Sequence, residues 1–163
     1  REDAGIPVGG PTQACAFLAA SLAHRFSILG TRADMGHKFV SQVTEYGISS
    51  KLASVRTTGL SVEEVETNPE RLIQALVVAG EAAVLQDGAH ILIPGCTGMI
   101  GMAARLQQAL EERGVTVPVI EPPAAAIKMA ELLSDLKLCH SKLTYPLPPF
   151  KAIPGYPAHE FQP

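Results

Sequence analysis

Short runs of β-forming residues alternate with runs of helical periodicity along this chain, and the links between them are only a few residues long. Strand patterns fall at residues 6–8, 26–29, 51–56, 91–93 and 117–120. Helix patterns occupy 11–23, the stripe Met35, Phe39, Val43 and Tyr46, the segment opened by Asn68-Pro69, the stretch after Cys96, and the run that begins at Pro122. An apolar residue at every third or fourth position marks a helix with one buried face, and Gly47 and Gly114 mark where two of these helices stop. Strand, helix, strand with tight links leaves one economical solution: a parallel sheet wound by right-handed crossovers, the α/β class. At 163 residues, 47% of them hydrophobic, the chain has apolar surface enough for one core. Expected buried faces are Phe17, Leu18 and Leu22 on the first helix; Leu72, Ile73, Leu76, Val77, Ala83 and Val84 on the third; and Met99, Met102, Ala103, Leu106 and Leu110 on the fourth.

Within that frame the segment HILIPGCTGMIG, residues 90–101, stands out. An apolar strand runs into Pro94-Gly95, then Cys96-Thr97-Gly98, then a helical pattern. A cysteine there sits at the carboxyl end of a parallel strand, where open α/β sheets bind ligands. It also faces the free amides and positive dipole end of the expected helix, which favour thiolate. Cys96 is therefore the expected catalytic group. Thr97 is expected to offer its hydroxyl and amide to a ligand oxygen, or else to cap the helix; Gly98 would allow close backbone approach. Thr31, at the end of another strand of the same sheet, is a candidate ligand contact or again a cap.

Other residues carry less. The five histidines have no metal-ligand spacing, so no metal is expected. Cys15 lies in an alanine-rich helix and reads as a small core residue. Cys139 adjoins His140, but sequence neighbours seldom face each other. Arg56 could reach a carboxylate or ureido group, or pair with a surface acid. A net charge of −3 with scattered basic residues, few aromatics and no tryptophan excludes an obvious nucleic-acid surface. No apolar run has membrane-spanning length, three widely spaced cysteines form no disulfide framework, and a cytoplasmic protein is expected. Alanine-rich helices and a proline-rich tail from Cys139 are compatible with subunit contacts, and a homo-oligomer is expected.

The opening Arg1-Glu2-Asp3-Ala4-Gly5 reads as the end of a helix, so the chain is expected to be the carboxyl-terminal portion of a longer protein. An internal echo points the same way. Ile6-Pro7-Val8 with Pro11, Ala14, Ala19 and Leu22 returns 111 residues later as Val117-Pro118-Val119 with Pro122, Ala125, Ala130 and Leu133, as in two similar lobes.

The same glycine-rich segment admits other readings. Gly95, Gly98 and Gly101 fit G-x-x-G-x-x-G, and Glu121 ends the next strand, as in nicotinamide-dinucleotide sites. Against this, about four elements precede the loop, little chain follows Glu121, and Tyr145 has Pro149 rather than lysine four residues on. A non-catalytic binder using the helix start as an anion cradle is a further alternative.

Three segments in order carry a family resemblance: residues 91–99 (ILIPGCTGM), Ala53-Ser54-Val55-Arg56 with its following Thr-Gly turn, and Ser141-Lys142-Leu143-Thr144-Tyr145-Pro146 with Pro149 and Lys151. Together they resemble the hydantoin racemase branch of the aspartate/glutamate racemase superfamily, over about residues 1–156. The resemblance implies a flavodoxin-like lobe belonging to a two-lobed, pseudo-symmetric fold, with residues 26–120 as the second lobe. Residues 1–25 and 121–163 would be remnants of the first lobe plus the tail. It implies a cofactor-independent racemase of a small hydantoin-like or amino-acid-derived substrate, with one cysteine from each lobe exchanging a proton. Cys96 matches the second-lobe cysteine, and Thr31 resembles a pocket threonine. The first-lobe cysteine has no counterpart here, since the family places it shortly before the stretch where this chain starts. Arylmalonate decarboxylase and maleate isomerase relatives, which also use a cysteine at this position, are the alternative within the superfamily.

Overall fold

The computed structural model describes residues 1–148; the expected tail residues beyond them, among them Pro149, Lys151, Pro154, Pro157, His159 and Pro163, lie outside the described residues. The described residues fall into two compact units: Gly9–Glu131, and Arg1–Val8 with the described residues from Leu132 onward.

The larger unit is built around β1 (Phe26–Gly30), all five residues of which are buried. β2 (Leu52–Thr57) and β3 (Leu92–Pro94) lie parallel to it on either side, in the order β2-β1-β3. Side chains alternate across this sheet with period two. Phe26 and Ile28 of β1, with Ile91 and Ile93, enter one apolar cluster, shared with helices α1 (Pro11–Leu22), α2 (Gly36–Glu45) and α6 (Pro122–Asp135). Leu29 and Leu92 enter the other, against α3 (Val62–Thr67), α4 (Pro69–Leu85) and α5 (Met102–Glu111). Ser27 is the fully buried polar residue of β1, and its hydroxyl is satisfied by that of Ser54 at 2.8 Å.

The crossovers form where the sequence indicates them. Asn68 accepts the amide of Arg71 and Pro69 opens α4, so a side-chain cap and a proline at the first turn start the longest helix. Leu72, Leu76, Val77 and Ala83 of α4 are buried as expected, with Ile73 and Val84 packed at the margin. Met99 and, from α5, Ala103, Leu106 and Leu110 join the same core.

Three expectations need correction, and one helix is additional to them. Residues 6–8 form no strand: the Val8 amide donates to Nε2 of His140 at 2.8 Å and its carbonyl accepts from Nε of Arg1 at 3.2 Å, so side chains take the bonds a neighbouring strand would need. Residues 117–120 reduce to a single parallel bridge, Leu92 to Val119. Pro118 has no amide to donate, and the Val119 amide is taken by Oε1 of Gln107 at 3.2 Å. On α1 the inward face is Ala14, Cys15, Ala16 and Ala19, whereas Phe17 is 40% and Leu22 69% exposed. Small residues let this helix lie close to the sheet, and Phe17 instead meets the ring of Tyr46 at 5.9 Å. Finally, α3 is a helix that the apolar spacing alone does not announce. Its signal is a capping box, with the Glu64 amide donating to the Ser61 hydroxyl and the Ser61 amide to the Glu64 carboxylate.

Gly95 follows β3 and is pressed against β1, its amide donating to the Leu29 carbonyl at 2.8 Å. A Cβ there would lie 2.9 Å from Cζ of Phe39, 3.0 Å from Cγ2 of Ile28 and 3.2 Å from the Leu29 oxygen. Gly95→Ala is therefore expected to destabilise the protein by about 1–3 kcal/mol, read from urea denaturation. Unchanged stability would show that the contact is not tight.

Candidate active site

A parallel sheet ordered β2-β1-β3 sends the chain one way out of β1 and back on the other side to β3, which opens a crevice beyond the carboxyl ends of those two strands. Thr31 follows β1 and Gly95-Cys96 follow β3, so the fold brings residues 64 or more positions apart in sequence to the same crevice. Two cavities meet there. The larger, about 510 Å³, is lined by Thr31, Arg32, Asp34, Lys38, Phe39 and Cys96 among others. The smaller, about 240 Å³, takes Ile28, Ile93, Pro94, Cys96 and Thr97, with Pro11 and Pro122 from the starts of two helices. Cys96, Gly95 and Phe39 line both.

The cysteine itself is partly buried, extended at φ −128° and ψ 133°, and its carbonyl accepts the Met99 amide at 3.0 Å. The helix start differs from expectation here. Thr97–Met99 is a single 3-10 turn, and α5 begins only at Met102, after Gly101 has taken a left-handed conformation at φ +79°. Cys96 thus stands at the head of one tight turn, and the full helix dipole originates six residues further on. Thr97 and Gly98 are exposed in this turn, Thr97 on the smaller cavity. A Cβ at Gly98 would lie 3.5 Å from the Cys96 sulfur. Thr31 is buried, and its carbonyl is held by the Gly59 amide at 2.8 Å, so the β1 end and the turn after β2 are tied together.

Arg32 and Asp34 pair bidentately at the rim, 2.9 and 2.6 Å, and the Arg32 guanidinium holds the Asp34 carboxyl below its ordinary range. This pair and Lys38 make one wall of the larger cavity charged, whereas Ile28, Ile93 and Pro94 make the smaller one apolar.

The remaining candidates sit elsewhere. Arg56 pairs with Asp87 through two bonds of 2.7 and 2.8 Å and with Gln86 at 3.0 Å, so its guanidinium is committed to a half-buried acid in a cavity that Cys96 does not line. His140 accepts from Val8 and meets the Tyr145 ring edge-on at 5.4 Å, so its Nε2 is committed away from Cys139. Among the described residues no group of three His, Cys, Asp or Glu side chains is placed to hold a metal ion, and no helix is long and apolar enough to cross a membrane. Sequence reasoning missed Phe39, Arg32, Asp34 and Lys38. Their only signal was position: they follow a strand end in an α/β chain.

The dinucleotide reading required Glu121 to be free for ribose hydroxyls. Instead its Oε2 accepts the amides of Gly101 and Ala103, at 3.2 and 3.4 Å. Comparison with known proteins decides the family. A family model for Asp/Glu/hydantoin racemases matches residues 1–130. The chain belongs to the Asp/Glu/hydantoin racemase family. It is 36% identical over 157 residues to a hydantoin racemase of Rhizobium meliloti, covering 96% of this chain and 63% of that protein. A hydantoin racemase of a Pseudomonas species is 35% identical, covering 95% of this chain and 61% of that one. The crystal structure of an allantoin racemase from Pseudomonas fluorescens superposes with a TM-score of 0.87 at 32% identity, over 94% of this chain and 64% of that chain. The chain thus spans less than two thirds of the length of these relatives, and its α/β architecture is that of the racemase fold.

Cys15 provides the contrast that defines Cys96. It is fully buried, and burial, reinforced by the negative charge of Glu121, pushes its thiol from the ordinary 9.0 up to about 12. We expect iodoacetamide at pH 8 to modify Cys96 and the exposed Cys139 in the folded protein, and Cys15 only after unfolding. An unfolded chain releases the Cys15 proton near 9.0 and the folded one near 12, so this thiol makes stability fall as pH rises through that window. Alkylation of Cys15 in the native state, mapped by mass spectrometry, would contradict this.

Proposed function

We propose that this chain supplies one face of a cofactor-independent racemase site, acting on a carbon that lies between a carbonyl and a nitrogen in a small cyclic ureide of the hydantoin type. The observation that carries the reading is the position of Cys96, at the crevice beyond β1 and β3 with its side chain between two cavities. Support also comes from the names of the relatives, which are hydantoin and allantoin racemases.

The chemistry requires little beyond this. A Cys96 thiolate takes the proton from the acidic carbon and becomes a thiol, and the electron pair left behind moves into the adjacent carbonyl as an enolate. The amides of Thr97 and Gly98, first in their turn, have no carbonyl one turn back to bind, and are suited to face the developing oxyanion. Thr31, Thr97 and Gly98 are proposed as substrate contacts, the threonines through hydroxyls. The apolar cavity formed by Ile28, Ile93 and Pro94 suits the ring substituent, and the Arg32-Asp34-Lys38 wall suits the polar ureide edge. A planar enolate inverts only if a proton arrives from the opposite face. A second acid is therefore part of the proposal, a cysteine from the other lobe of a two-lobed protein in which residues 26–120 form the second lobe. Cys15, buried and held as a thiol, does not qualify.

The test uses the intact protein. A single enantiomer of a 5-substituted hydantoin or of allantoin, incubated in heavy water, should lose optical rotation while taking up one deuterium at the stereocentre. Cys96→Ala should slow this by roughly 100- to 10,000-fold with ligand affinity retained. Turnover of the alanine variant at the parent rate would refute the thiol mechanism. Thr31→Val should cost about tenfold, as for one lost hydrogen bond, and an unaltered rate would remove Thr31 from the site.

A further inference from the structure

The segment that carries Cys96 is held at both ends, and its distal anchor is a carboxylate twenty residues further along the chain. Gly101, the residue before α5, has no side chain with which to cap the helix. Glu121 does so from outside, Oε2 receiving the Gly101 amide at 3.2 Å and the Ala103 amide at 3.4 Å. A carboxylate there satisfies two of the amides that a helix leaves free and lies at the favourable end of its dipole. Oε1 of the same group is buried without a hydrogen-bond partner among the described residues, so the structure accepts a desolvated oxygen in order to place the other.

Glu121 is itself fixed. The Leu92 amide donates to the Pro118 carbonyl and the Ile120 amide to the Leu92 carbonyl, both at 3.0 Å, which clamps the chain before Glu121 beside β3. The Ala125 amide donates to the Glu121 carbonyl at 3.0 Å, which clamps it from the other side. The connections close a circuit: from β3 through Cys96 and its turn to Gly101, across to Glu121, and back to Leu92 of β3. Within it Gly101 at φ +79° is the joint, and Oε2 holds its amide and that of Ala103.

We propose that Glu121 is a positioning residue for the Cys96 turn, setting where the thiol and the Thr97 and Gly98 amides stand in the crevice. This rests on the reading of Cys96 as the proton-transfer group. Rate depends steeply on such placement, since a shift of about 1 Å in a reacting group costs on the order of 100-fold.

Three variants separate positioning from plain stability. Glu121→Gln keeps an acceptor oxygen for the two amides, and Glu121→Ala removes it. Glu121→Asp keeps the charge one methylene short, and replaces the alanine variant if that fails to fold. In the intact protein, at a temperature where all are folded, kcat for racemisation is expected to fall at least about tenfold in Glu121→Ala with KM within about threefold, and to recover to within about threefold in Glu121→Gln. In the 163-residue chain, amide exchange at Gly101 and Ala103 should rise at least about tenfold in Glu121→Ala, while Leu106 and Leu110 stay protected. With Cys139 replaced by serine, the iodoacetamide rate at Cys96 should change by about threefold or more in Glu121→Ala and return in Glu121→Gln. Parent-like kcat in folded Glu121→Ala, unchanged exchange at Gly101, or equal loss of protection throughout without rescue by glutamine would overturn the proposal. The exchange and alkylation arms need no turnover. A parent protein that racemises nothing would thus defeat the reaction assigned to Cys96, while these arms still decide whether Glu121 fixes its turn.

Discussion

Burying β1 on both faces is the constraint from which the rest follows. Phe26 and Ile28 need an apolar layer on one side and Leu29 needs one on the other, so the chain must supply helices to both surfaces of the sheet. It does so by leaving β1 toward β2, crossing over, and returning to β3 on the other edge. That reversal leaves the ends of β1 and β3 without a connection covering them, and Thr31 and Cys96 occupy those ends. The crevice is a by-product of the winding, and the candidate residues stand where the backbone already converges. Gly95 makes the convergence tight: its amide bonds to Leu29 and its missing side chain admits Phe39, which then forms the shared wall of both cavities.

Three cysteines in one chain illustrate how environment assigns a role. Cys15 sits on the small-residue face of α1 against the sheet, and burial with the nearby Glu121 charge keeps its proton. Cys139 is exposed, next to a histidine whose Nε2 accepts the Val8 amide. Cys96 combines partial burial with access to cavities. A thiol that must accept a carbon acid's proton needs that intermediate state: reachable by a small molecule, yet shielded enough that fixed dipoles outweigh bulk water.

Much of this was legible in the residues. β1, β2, β3 and the helices α2, α4, α5 and α6 follow from periodicity, caps and proline starts, because these signals are local even where the burying partner is distant in sequence. The position of Cys96 just past the end of β3 was legible because an apolar run stops there at Pro94-Gly95. What failed did so for identifiable reasons. The strand pattern at 6–8 depends on a partner, and the bonds of Val8 go to His140 and Arg1 instead. On α1, Phe17 and Leu22 lost the inward face to Ala14, Cys15, Ala16 and Ala19, while Leu18 packs at the margin of the core as expected. The 3-10 turn after Cys96 has no periodic signature at all, because three residues are too few to show one. Arg32, Asp34 and Lys38 are ordinary surface residues in sequence and come to line a cavity with Cys96 only through the reversal of the chain.

The loop of three spaced glycines shows how one pattern serves two chemistries. In a dinucleotide site the loop's amides point outward to phosphates and the acid at the next strand end points outward to a ribose. Here the acid turns inward, and Glu121 satisfies the Gly101 and Ala103 amides that an outward-facing loop would offer to a ligand. The amides nearest the sulfur, at Thr97 and Gly98, form a pair whose spacing suits one oxygen better than a pyrophosphate. The orientation of a single carboxylate thus removes the outward-facing acid that a dinucleotide site needs. Nothing in the glycine spacing encodes it, because the deciding contact joins residues twenty positions apart.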